Sequence, residues 1–160
     1  MLDNFKWPKT EHKADEAIFR NVREHGCHIV SVGDGNPSFA YSIGLYLNYD
    51  HAEVIIFGMR PDYAQSIIND VRDRVAGGHK FADGDISDDF LQNGYKIAFW
   101  DVPPMAYPDY LGIGAWFYWE SGPFPCLQII WQDRNRRFPW EAECSFDVKA
   151  DQPLLKRTVS

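Results

Sequence analysis

The chain has 160 residues, a formal net charge of −7 and 45% hydrophobic residues, enough apolar material for one domain with its own core. Six Trp, eight Tyr and eleven Phe argue against a disordered chain. The acidic balance argues against nucleic-acid and anionic-membrane partners, which are met by a basic face, and no apolar run reaches the roughly 18 residues of a membrane span.

Residues 1–9 hold Trp7-Pro8 and little periodicity, and read as a loosely attached arm on a single domain covering 1–160. Over 10–25 the apolar positions Ala14, Ala17, Ile18 and Val22 predict a helix, with Thr10 as N-cap and Gly26 as stop. A strand over 27–32 is followed by the turn signal Gly33-Asp34-Gly35-Asn36-Pro37. Next, Phe39, Tyr41, Ile43 and Leu45 alternate with Ala40, Ser42 and Gly44, giving a strand with one large-residue face and one small-residue face. The short connection predicts an antiparallel hairpin, and the small face a close neighbour, most simply a helix. E-V-I-I-F at 53–57 is a strand, after which Pro61 opens a helix with Tyr63, Ala64, Ile67, Ile68, Val71 and Val75 as its buried stripe.

Residues 79–94, with Asp83, Asp85, Asp88 and Asp89, lack the register and terminal glutamate of a calcium loop and read as a solvated loop with a short helical turn. A strand over 95–102 is stopped by Pro103-Pro104. An aromatic helix over 107–119 is weakened by Gly112 and Gly114. A strand over 127–132 is expected to meet an antiparallel return over 142–148, and Gln152-Pro153-Leu154-Leu155 to pin the C-terminus. The fold class is α+β: a mostly antiparallel sheet of about five to six strands with two to three packed helices, partial closure into a barrel being the alternative.

The segment 127–141 places Trp131, Asp133, Arg137, Trp140 and Glu141 around one strand end and turn. With Tyr41, Glu53 and Trp100 they make a candidate aromatic pocket, in which Glu53 or Asp133 is the acid or base; the plainer reading of Glu53 is a carboxylate paired with Arg137 or capping backbone N–H groups. Solvated ion pairs of the turn that also carries Arg134 and Arg136 are the plainer reading of Asp133 and Glu141. His25 and His28 form an H-x-x-H pair that needs a third ligand, such as His51, Glu53 or Asp133, to hold a metal; without one, His25 serves the helix C-terminus. Cys27, Cys126 and Cys144 form no C-x-x-C pair and no even disulfide set, so a reducing, cytoplasmic setting is expected. Neither a hydrolase elbow nor a phosphate loop nor a dinucleotide fingerprint is present.

H-G-C-H-I-V at 25–30, P-S-F-A-Y-S-I-G-L at 37–45, A-E-V-I-I-F-G at 52–58, L-Q-I-I-W-Q-D at 127–133, R-F-P-W-E at 137–141 and Q-P-L-L at 152–155 occur in this order. The set resembles the bacterial domain-of-unknown-function family 4262. In that family a Trp usually stands at the place of Cys27 and a Gly at the place of Arg136. The resemblance implies one bacterial domain and supplies neither reaction nor cofactor. The expectation is a ligand-binding or protein-interaction protein of accessory or immunity type, motivated by Trp7, Trp116 and Trp119 as outward aromatics. Its alternative is a small enzyme, flavin- or metal-dependent variants included, although no cofactor is expected. The partner is a small molecule or a protein, and the oligomeric state is left open.

Overall fold

A computed structural model describes residues 1–158. Six strands form one open sheet: β1 (His28–Val32), β2 (Phe39–Ile43), β3 (Glu53–Phe57), β4 (Ile86–Ser87), β5 (Ile97–Asp101) and β6 (Cys126–Trp131), in the order β1-β2-β3-β6-β5-β4. All neighbours are antiparallel except β3 and β6, which run parallel with Glu53 opposite Cys126 and Ile56 opposite Ile129. β1 and β4 stay apart as edges, so the sheet is not closed into a barrel. The two central strands are almost continuously apolar, as strands covered on both faces are.

Helix α1 (Lys13–His25) has His12 at its N-cap and starts two residues later than the Thr10 cap implied. The Asp15 carboxylate reaches back to the N–H groups of Glu11 and His12, at 3.0 and 3.2 Å, and sets the start there. Its Ile18, Phe19 and Val22 join Tyr41, Ile43, Ile55 and Phe57 in the core on one sheet face. The other face is covered by α3 (Pro61–Ala76), whose Ala64, Ile67, Ile68, Val71 and Val75 pack on Ala40, Val54, Ile56 and Ile129. Ala40 on the small face of β2 is thus part of the seat for α3, while Tyr63 is turned out at 58% exposure.

Two further elements differ from expectation. The aromatic stretch 107–119 is two short helices, α4 (Tyr107–Tyr110) and α5 (Gly112–Phe117), broken at Leu111. Instead of an antiparallel strand over 142–148, helix α6 (Phe146–Asp151) begins there. Ser145 caps it by accepting the Val148 N–H, and its own N–H is drawn to the Asp133 carboxylate at 2.7 Å. A five-residue helix α2 (Leu45–Tyr49) follows β2, and α7 (Leu155–Thr158) ends the described chain. Seven helices among the described residues exceed the two to three expected, because five of them have six residues or fewer.

The C-terminal segment is docked as its leucines implied. Gln152 lies against the Trp131 backbone, accepting its N–H and donating to its C=O, both at 2.9 Å. Gln128 likewise donates to the Pro153 carbonyl at 2.7 Å and accepts the Leu155 N–H at 3.1 Å. The first nine residues have no helix or strand, yet Phe5 packs tilted against Phe117, Trp7 packs edge-on against Phe19 and Phe117, and Arg23 covers the Trp7 ring at 4.2 Å.

Candidate functional site

Glu53 opens β3 and is wholly enclosed, at 0% exposure. Its Oε1 accepts the Ser42 hydroxyl at 2.7 Å and the Leu45 N–H at 3.1 Å. Its Oε2 accepts the N–H groups of Gly44 and Tyr46, at 2.9 and 3.1 Å, and the Tyr118 hydroxyl. Every donor is committed: Tyr118 Oη accepts from Gly44 and Leu47, and Ser42 Oγ accepts from Val54. Burial raises the Glu53 carboxyl, and the bonds from Tyr118, Ser42, Tyr46 and Gly44 offset this only in part. The same burial, with the Glu53 charge beside it, drives the Tyr118 phenol far up. This is a carboxylate that ties the start of α2 to β3 and to the end of α5, with no lone pair left for a substrate. Gly44 is required there: φ is +120°, and a Cβ would come within 2.9 Å of the Gly26 carbonyl.

Asp133 follows the other end of β6 and is also buried, at 3% exposure. Burial raises its carboxyl, but N–H donors from Ser145, Arg137 and Asn135 outweigh that and leave it below its ordinary range. Arg137 pairs with Glu141 at 3.4 Å, not with Glu53, and Glu141 also accepts the Phe138 N–H at 2.6 Å. Arg136 donates to the Asn93 carbonyl at 2.6 Å and lies over Tyr95 at 4.4 Å, so the bend rests on the segment leading into β5, not on the Tyr41 hairpin. Arg136 holds φ +63°, a conformation that favours glycine. Replacing it by Gly or by Ala removes the same contacts, and the Gly variant is expected to be more stable than the Ala variant by about 1 kcal/mol in urea denaturation.

The aromatic candidates are shared between structural tasks. Tyr41 is buried, and its hydroxyl accepts the N–H groups of Ile113 and Gly114, at 3.1 and 3.4 Å, capping α5. Trp131 lies on the α3 side and donates from Nε1 to the Phe57 carbonyl at 2.8 Å. Trp100 and Trp140 stack at 4.5 Å, and Trp140 stacks on Phe138 at 4.3 Å. The eight candidates therefore fall into separate groups. Glu53 and the Asp133 turn lie beyond opposite ends of the parallel β3–β6 pair, separated by about six strand residues, roughly 20 Å.

The histidines diverge as well. His25 is exposed and 4.0 Å from Glu24, whereas His28 Nδ1 meets Asn21 at 2.9 Å. Among the described residues no group of three or more His, Cys, Asp or Glu is placed to hold a metal. His51 is buried; Nδ1 donates to the Ala52 carbonyl at 2.8 Å, and Nε2 accepts the Phe81 N–H at 3.0 Å. Only the neutral imidazole fits, and burial lowers its pKa from 6.5, with His79 and Lys80 adding to the shift. The unfolded chain then binds the extra proton first, so stability is present above pH 6.5 and falls as the pH drops toward the lowered folded value. Urea midpoints are expected to fall on acidification below 6.5, and His51→Gln to flatten that slope. Burial also pushes the Cys27 thiol up to about 12 and the Cys126 thiol well above its usual range, the Glu53 charge adding to both, which removes them as thiolate nucleophiles.

Two apolar hollows lie elsewhere, side by side around α5. A groove of about 550 Å³ is lined by Lys6, Lys9, Gly112, Trp116, Trp119 and Glu120, among others. A cleft of about 350 Å³ is lined by Tyr107, Tyr118, Trp119, Pro123 and Phe124, among others. Trp119 borders both and is 81% exposed. None of the eight candidates borders either hollow. Of the three aromatics expected to face outward, Trp119 does so, while Trp116 stacks on Phe19 and Trp7 lies under Arg23. The contributions of Lys6 and Lys9 had no signal in the sequence, since they depend on the arm folding back onto α5.

The chain is thus an α+β protein with one open, mostly antiparallel sheet and an aromatic groove on its α5 side. Its residues 21–145 match the family described as a domain of unknown function, DUF4262, and the chain belongs to that family. No curated protein and no solved structure matches it.

Proposed function

We propose that this chain is a non-enzymatic interaction protein, of accessory or immunity type, whose contact surface is the face around Trp119. The observation that carries this reading is a Trp at 81% exposure standing between two hollows. Leaving an indole in water is unfavourable by about 2 kcal/mol or more, and Trp is the residue most enriched at interface hot spots. Support also comes from Glu53 and Asp133, whose oxygens are occupied by backbone and hydroxyl donors of the scaffold, against the alternative of a small enzyme using them as acid or base. Three free, buried cysteines favour a reducing, cytoplasmic setting. The test is retention of partners from native lysate by the chain and by Trp119→Ala. A partner held by the parent and released by the variant is expected. Identical retention by both, or none by either, overturns the reading.

A further inference from the structure

The groove beside Trp119 carries charges of both signs. Lys6 and Lys9 come from the arm and Glu120 from the turn after α5; all three are exposed and border the same hollow as Trp116 and Trp119. Among the described residues none of the three takes part in an ion pair. In a chain of net charge −7, a general acidic partner would be met by a uniformly basic rim, and a basic partner by a uniformly acidic one. A rim with both signs next to a protruding indole and a hollow has a different complement: itself. In a two-fold interface the same patch occurs on both sides, so a knob and a hole side by side on one copy meet a hole and a knob on the other.

We propose that the occupant of the Trp119 face is a second copy of this chain, related by a two-fold axis. Trp119 of each copy enters the partner's groove over Gly112, Ala115 and Trp116, and Glu120 of each meets Lys6 and Lys9 of the other. Gly112 and Ala115 leave room for the indole, since nothing lies within 4 Å of a Cβ built on Gly112. The proposal deepens the interaction reading and rests on it: the surface is the same, and the partner is now named.

Sedimentation velocity of the full chain over a wide concentration range tests it. A reversible dimer is expected, and Trp119→Ala is expected to raise its dissociation constant about thirtyfold or more, the size of a Trp hot spot. Trp119 is solvent-exposed in the single chain, so at concentrations where both are monomeric this variant is expected to keep the parent's thermal transition. The charge pairing has its own test. The variant carrying Lys6→Glu and Lys9→Glu has only acids on its rim, and Glu120→Lys only bases. Each alone is expected to dimerise more weakly than the parent, and an equimolar mixture to recover a heterodimer, because both contacts across the axis are then between opposite charges. Three outcomes overturn the proposal: a parent chain that stays monomeric, a dimer indifferent to Trp119→Ala, and a mixture that associates no better than its components. A monomeric parent that still loses a lysate protein through Trp119→Ala overturns the second copy and leaves the interaction reading standing. A monomer that retains no partner removes both.

Discussion

Glu53→Gln is expected to lower stability by about 3–5 kcal/mol, the cost of leaving two or more buried donors without their charged acceptor. The amide is nearly isosteric, so the loss comes from polarity and not from a cavity. One oxygen becomes an NH2 group facing donors: Gly44, Tyr46 and Tyr118 if it replaces Oε2, or Ser42 and Leu45 if it replaces Oε1. At least two buried donors are then without an acceptor. The loss propagates, because Tyr118 Oη holds the Leu47 N–H while donating to Glu53. Urea denaturation measures it directly: the midpoint falls while the slope stays that of the parent. A general base free of structural duty behaves otherwise, its Gln variant keeping stability within about 1 kcal/mol, as substitutions away from buried networks do.

Asp133→Ala is expected to lower stability by about 2–4 kcal/mol through the unsatisfied N–H groups it leaves. The carboxylate gathers Asn135 and Arg137 on Oδ1, at 2.9 and 3.0 Å, and Ser145 on Oδ2, at 2.7 Å. It therefore closes the arginine bend and positions the cap of α6 with one side chain. Asp133→Asn keeps an oxygen for the first two donors and loses the third, so its cost is expected to be smaller, about 1–3 kcal/mol. Amide exchange checks the location: the Asn135, Arg137 and Ser145 amides are expected to speed up in Asp133→Ala, while those of β3 do not.

Much of the fold was legible because it rests on local periodicity. The alternation of Phe39, Tyr41 and Ile43 marks β2, and the stripe from Ala64 to Val75 marks α3 under a Pro61 start. Small residues opposite Phe39 and Tyr41 announced the close approach of α3. What failed depended on side chains reaching across the sequence. The Asp133 carboxylate takes the Ser145 N–H at a separation of twelve residues and turns an expected strand into α6. The parallel pairing of β3 with β6 comes from a return of the chain that no local pattern encodes.

The site was legible in its residue types and not in their grouping. Glu53 stood out as a carboxylate opening an apolar strand and Asp133 as an acid of the arginine turn; both are buried, so Asp133 is not the solvated partner of an ion pair. Buried carboxylates must be paired or hydrogen-bonded, and here scaffold donors do this at two distant places. The expected link from Arg137 to Glu53 is replaced by Arg137 with Glu141, because four residues of the same turn bring them together first. Trp119 was legible as an outward aromatic, since a helix of six residues with two glycines offers little surface to bury its neighbours.

Hydroxyl-radical footprinting of Trp119 in native extract, set against dilute purified chain, tests the central claim most directly. Trp119 is expected to be strongly oxidised in the dilute chain and protected in the extract, with buried Tyr41 and Tyr118 unreactive in both. Equal oxidation of Trp119 in the two conditions would contradict the assignment of this face as the contact surface.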